Sequence, residues 1–188
     1  MKKSILNVFL MLFVLLFSAC TAKNEVDQNE KKQLILNMKD KVLQDLYILK
    51  PDVKAQITNA EGYGVFTNAN LKIIFASLGG GYGVIKNNNT QRYTYMRMGE
   101  AGVGLGLGIK DYRLILVFHT KESLNNFIKN GWTLGAQADA SAKANNQGYS
   151  VGGEMNVNDI TIYELTENGL SLQGTIKATK FWKDEELN

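Results

Sequence analysis

One cysteine, one histidine and a run of alternating glycines are the residues here with the most specific chemical uses. Cys20 has no partner in the chain for a disulfide. Cys20 and His119 together cannot build a zinc site, which takes three or four such ligands. A serine nucleophile would have only His119 as a histidine base, and no Gly-x-Ser-x-Gly elbow accompanies it. His119 ends an apolar stretch, where a structural or partly exposed imidazole is the simplest reading. Carboxylates such as Asp139 and Asp159 cannot be brought together by spacing alone, and most acidic residues are solvated. The sequence therefore predicts no catalytic residue, no metal, no cofactor and no enzyme activity.

Cys20 is informative by position. Lys2 and Lys3 are followed by the apolar run Val8–Phe17 and the small residues Ser18 and Ala19. A charged start, an apolar centre and small residues before the cut make a secretory signal. The run is too short for a transmembrane helix, which needs about 20 apolar residues. Leu-Phe-Ser-Ala-Cys20 resembles the bacterial lipobox, with Phe17 where leucine is usual. Residues 1–19 are then a signal peptide, and Cys20 is the first residue of a lipoprotein, acylated with palmitate-type chains. That places the protein in a bacterial envelope outside the cytoplasm, on the periplasmic side or at the outer membrane.

The glycines raise a different chemistry. Gly102, Gly104, Gly106 and Gly108 alternate with Val103, Leu105, Leu107 and Ile109. In a strand this gives one apolar face and one face without side chains. Glycine weakens strands, so the ladder marks curvature, close approach of another element, or a ligand groove. A nucleotide loop would need a strand before the glycines and a helix after them. The residues that follow, Tyr112–Phe118, read as a strand, and no Gly-Lys-Ser/Thr is present. Nucleotide binding is excluded on that mismatch.

Composition narrows the partners further. The formal charge is +3, and it falls to about +1 without Lys2 and Lys3. That leaves no global basic field for nucleic acid. Hydrophobic residues make up 45%, enough for one domain with a sizeable core. All 18 glycines follow residue 61, against a single proline, so they belong to the folded region.

The elements that must position these residues follow from periodicity. Residues 20–29 are polar and read as a lipidated tether, and residues 30–188 as one domain. Leu34, Ile35, Met38, Val42, Leu43, Leu46 and Leu49 form the apolar face of an amphipathic helix. Lys31, Lys32, Lys39, Asp40 and Asp45 fall mostly on the other face. Pro51 suits the first turn of a short second helix through about Thr58. Tyr63–Thr67, Lys72–Ile85, Gln91–Met98 and Tyr112–Phe118 read as strands. Thr120 can cap a helix over 121–130, stopped by Gly131. Tyr149–Val157, Ile160–Leu165 and Leu170–Phe181 read as strands again. The expected class is α+β, with an antiparallel, strongly curved or barrel-like sheet and helices packed on it.

Taken in order, Ala60-Glu-Gly-Tyr-Gly-Val-Phe66, Leu78-Gly-Gly-Gly-Tyr-Gly-Val-Ile85, Gly102–Lys110, Leu124-Asn-Asn-Phe127, Leu134-Gly-Ala-Gln-Ala-Asp-Ala140 and Ile162-Tyr163 with Gly169-Leu170 resemble the SYLF lipid-binding domain family. The resemblance runs from about Leu34 to Trp182. Tyr93-Thr-Tyr95 stands where the family commonly has Trp-Ser and a proline. Phe181-Trp182 and an acidic tail replace its aromatic-glycine ending. Eukaryotic members bind phosphoinositides, partly through an amphipathic N-terminal helix, and actin. A bacterial envelope normally contains neither ligand, so the resemblance implies association with membrane phospholipid. Lys31, Lys32 and Lys39 are the candidate lipid-phosphate contacts, weighed against simple solvation on a packed helix. The alternative is a structural or scaffolding lipoprotein that binds another envelope protein, with the glycine ladder near that surface.

Overall fold

The helical spacing near the N-terminus forms α1 (Gln28–Leu49), which buries Ile35, Val42, Leu43 and Leu46. It starts two residues inside the stretch read as tether. The Lys50 amide closes its last turn on the Leu46 carbonyl. A turn at Pro51 and Asp52 leads into the short α2 (Val53–Asn59). The computed structural model describes residues 27–68, 80–100, 112–133, 150–151, 154–166, 169–170 and 179–188. Cys20 and the ladder Gly102, Gly104, Gly106 and Gly108 lie outside the described residues.

The remaining described elements are nearly all strands: β1 (Gly62–Thr67), β2 (Gly81–Asn87), β3 (Tyr93–Glu100), β4 (Tyr112–Phe118), β5 (Trp132–Thr133), β6 (Ser150–Val151), β7 (Glu154–Val157), β8 (Ile160–Thr166), β9 (Gly169–Leu170) and β10 (Thr179–Lys183). They pair antiparallel in the order β5-β10-β3-β2-β1-β4-β8-β7-β6, with β9 on β8. The helix α3 (Lys121–Asn130) follows β4. The Thr120 hydroxyl accepts the Ser123 amide at 3.2 Å, the expected N-cap. Gly131, at φ 62°, ends the helix and returns its N–H to the Phe127 carbonyl. The α+β class and the antiparallel sheet agree with the sequence.

The sheet curls into a half-barrel. In a flat sheet, β4 and β10 would stand about 19 Å apart, four strand spacings. Yet the Tyr112 hydroxyl lies 3.4 Å from the Thr179 hydroxyl. The concave face holds Phe66, Leu114, Leu116, Phe118, Ile162 and Phe181, closed by Leu124 and Phe127 of α3. The other face holds Tyr63, Val65, Ile115, Val117 and Tyr163, covered by Val42, Leu43 and Leu46 of α1. With both faces buried, the central strands read as continuous apolar runs.

The described glycines explain how the layers approach so closely. The alternate residues of β1 and β2 on the concave face are Gly62 and Gly64, and Gly81 and Gly83. A Cβ on Gly62 would stand 3.1 Å from Leu124 of α3. One on Gly83 would overlap the Phe66 ring and the Val65 carbonyl. The Phe66 ring, 4.8 Å from Phe181, thus lies across space that these strands leave empty. Gly83→Ala is expected to cost about 2–3 kcal/mol through overpacking, read as a lower urea midpoint at unchanged slope. An unchanged midpoint would mean that both the ring and the β1 backbone give way freely.

Candidate functional site

The packed stripe of α1 passes through Ile35, Lys39, Val42 and Leu46, at steps of four, three and four. Lys39 therefore lies on the buried side of the helix, 6% exposed, and not on the solvated face expected from the sequence. Its Nζ meets Asp40 Oδ1 at 2.6 Å and stands 5.6 Å from the centre of the Tyr93 ring. One face of β3 presents Tyr93, Tyr95 and Arg97 to the helix, while Met96 and Met98 point into the concave core. Lys32 takes the matching place over Tyr95, at 5.7 Å. Cations over ring faces are stabilised by the ring quadrupole, and the lysine stems cover apolar surface.

Beside this seam is a cleft of about 580 Å³. Lys32, Arg92, Lys183, Tyr93, Tyr95 and Leu187 dominate its lining, which includes no aspartate or glutamate. The turn before β3 sets Arg92. There the Asn87 side chain accepts the Asn89 and Thr90 amides, and Asn88 donates to the Ile57 and Ala60 carbonyls. Gln91 adopts φ 58° to complete the turn. Tyr93 remains 37% exposed at this end of β3, while Trp182, packed on Gly99 toward the other end, is 40% exposed. Burial raises the Tyr95 and Tyr82 phenols above their ordinary range.

Leu187 and Asn188, at the end of the tail after β10, form one wall. Buried Asp184 accepts Arg97 Nε at 2.7 Å and the Glu186 and Leu187 amides. That hydrogen bond raises the Arg97 guanidinium further above its ordinary value. The Asn188 side chain donates to the Tyr95 carbonyl and accepts its amide. Lys31 reaches this tail, with its Nζ 2.6 Å from Glu186 Oε1.

Residues 99–188 match the family model described as Ysc84, Las17-binding protein actin regulator. The chain is also 29% identical over 164 residues to Beta cell expansion factor A of Aeromonas veronii, across 87% of this chain and 61% of that protein. The match over residues 99–188 agrees with the SYLF resemblance read from the sequence. This chain spans about three-fifths of that relative's length. The aligned length of 164 residues carries the likeness into the N-terminal part of the chain as well, where α1 and β1 to β3 lie.

The chain has a second cleft, of about 510 Å³, where α3 meets the β7–β8 turn. Glu122, Asp159, Asn126, Asn130 and Asn158 line it, without a lysine or arginine. The two clefts thus differ in sign, and only the first suits an anion. His119 is exposed near the second cleft. Its Nε2 lies 2.7 Å from the Thr161 hydroxyl, which bonds Asn156 in turn. Among the described residues no group of three His, Cys, Asp or Glu could hold a metal ion. No described helix is long and apolar enough to cross a membrane.

The tyrosines and Arg92 of the first cleft were not singled out from the sequence. The signal was present in Tyr93-Thr-Tyr95, whose alternation places both rings on one face.

Proposed function

We propose that this is a non-enzymatic lipoprotein, acylated at Cys20 in a bacterial envelope, whose SYLF domain associates with membrane phospholipid. The observation that carries this reading is the cleft whose lining includes Lys32, Arg92, Lys183, Tyr93 and Tyr95 and no acidic side chain. Cations for phosphate and amphipathic rings for the interfacial zone are what a phospholipid surface selects. Position supports the same reading. At most about 28 Å of extended chain separates Cys20 from the start of α1, and Lys32 stands one turn further on. A lipid on Cys20 would keep the cleft close to the bilayer.

Acylation by itself would hold the protein on a membrane. The domain's contribution must therefore be measured without it. Residues 20–188 carrying Cys20→Ala are expected to co-sediment with vesicles containing phosphatidylglycerol, and less with phosphatidylcholine alone. Failure to bind either vesicle would sink the lipid-binding reading. A scaffolding role has one observation in its favour. Ile48 and Leu49 are 79% and 50% exposed at the far end of α1, about 24 Å from Lys32. Crosslinking from Ile48 to one defined envelope protein, with no vesicle binding, would favour that role.

A further inference from the structure

Glu186 holds two cations from within the chain, Lys31 of α1 and Arg97 of β3. Its Oε1 lies 2.6 Å from Lys31 Nζ, and its Oε2 lies 3.5 Å from Arg97 Nη2. The Lys31 side chain is 15% exposed and that of Glu186 45%, so the carboxylate forms the solvent side of the contact. A carboxylate set between an ammonium and a guanidinium occupies the place an anionic oxygen cluster takes in phosphate recognition.

The tail does not depend on Glu186 for its own position. Asp184 is buried on Arg97, Leu187 is 2% exposed among Ile35, Tyr82, Val84 and Tyr95, and Asn188 pairs with Tyr95. The Glu186 side chain can therefore swing into water while the backbone around it stays in place. The neighbours of the pair, Lys32 and Leu187, both line the basic cleft, so the two sites are contiguous.

We propose that Lys31 and Arg97 form an anion site, continuous with the cleft, that Glu186 fills until a phosphate-bearing group displaces it. The inference rests on the reading that the cleft meets anionic head groups. It adds that a residue of the chain competes for part of that surface. The exchange is purely electrostatic: one carboxylate leaves two cations and one phosphate group replaces it. Arg97 keeps its buried partner Asp184 throughout, so the exchange leaves the tail anchored.

The test compares three proteins, each residues 20–188 with Cys20→Ala: the parent, Glu186→Gln and Glu122→Gln. Glu122 is exposed on α3 in the other cleft, so its loss changes net charge equally. Removing the competitor is expected to tighten binding to phosphatidylglycerol vesicles about three- to fivefold, the value of one negative charge removed from beside an anionic surface. Glu122→Gln is expected to change binding less than about twofold, since surface charges beyond a Debye length are screened. Equal gains in both variants would reduce the effect to net charge and overturn the proposal. So would an unchanged or weaker Glu186→Gln. Parent binding with no gain sinks this proposal alone. Silence from all three proteins removes the reading of the cleft as well. Inorganic phosphate at matched ionic strength separates the ligand sources. Release of Glu186→Gln from vesicles assigns the site to free phosphate, and retention assigns it to lipid head groups.

Discussion

Replacing Lys32, Arg92 and Lys183 together with glutamine will weaken vesicle binding of the unacylated protein by about 100-fold. Each cation close to an anionic surface contributes about 1 kcal/mol, and three act on one patch. Arg92 and Lys183 are exposed, and Lys32 is held mainly through its contact with Tyr95, so the fold should survive the change. The matched control neutralises Lys54, Lys121 and Lys129, which are exposed elsewhere on the molecule. It removes the same charge and should weaken binding only a few-fold. Raising salt from 0.1 to 0.5 M should narrow the gap between the two triples, because the Debye length shortens. Equal losses in both would mean that general attraction, and not the cleft, brings the domain to lipid.

The cleft combines elements that the sequence reveals unequally. Helix α1 is legible from its apolar spacing, and Thr120 and Gly131 bracket α3 as their cap chemistry predicts. Lys39 is misread because its charge outweighs its spacing. It sits four residues after Ile35 and three before Val42, which places it on the packed stripe whatever its type. There its stem lies along the protein and its ammonium finds Tyr93 and Asp40. The alternate glycines of β1 and β2 read equally well as groove or as close packing. The choice depends on the Phe66 ring and Leu124, which no local pattern places above them. The tail is the least legible part. Asp184 and Glu186 look like solvated acids, yet one is buried on Arg97, 87 residues earlier, and the other holds Lys31, 155 residues earlier. Pairing at such separations is set by the strand order β10-β3-β2 and by α1 lying across it, which only the assembled sheet provides.

The packing that makes this sheet two-sided also sets its response to alkali. Burial pushes the Tyr63 and Tyr163 phenols well above their ordinary range, and Tyr47, Tyr82 and Tyr95 share the direction. Tyr163 is fully buried and donates to Gln56 Oε1 at 2.8 Å, while Tyr63 is 7% exposed. In the unfolded chain these phenols ionise near pH 10. Above that pH the unfolded state releases protons that the folded state keeps, so stability falls as pH rises. Below pH 10 both states are neutral and the contribution is fully present. Each tyrosine that stays protonated costs about 1.4 kcal/mol per pH unit above 10, so Tyr63 and Tyr163 together remove about 5 kcal/mol by pH 12. That is comparable to the whole stability of many domains. Urea midpoints should therefore hold steady up to about pH 9.5 and then fall steeply. Tyr63→Phe should make that fall shallower while leaving the neutral-pH midpoint close to the parent's. A slope unchanged in Tyr63→Phe would mean that the Tyr63 phenol does not carry the alkaline loss.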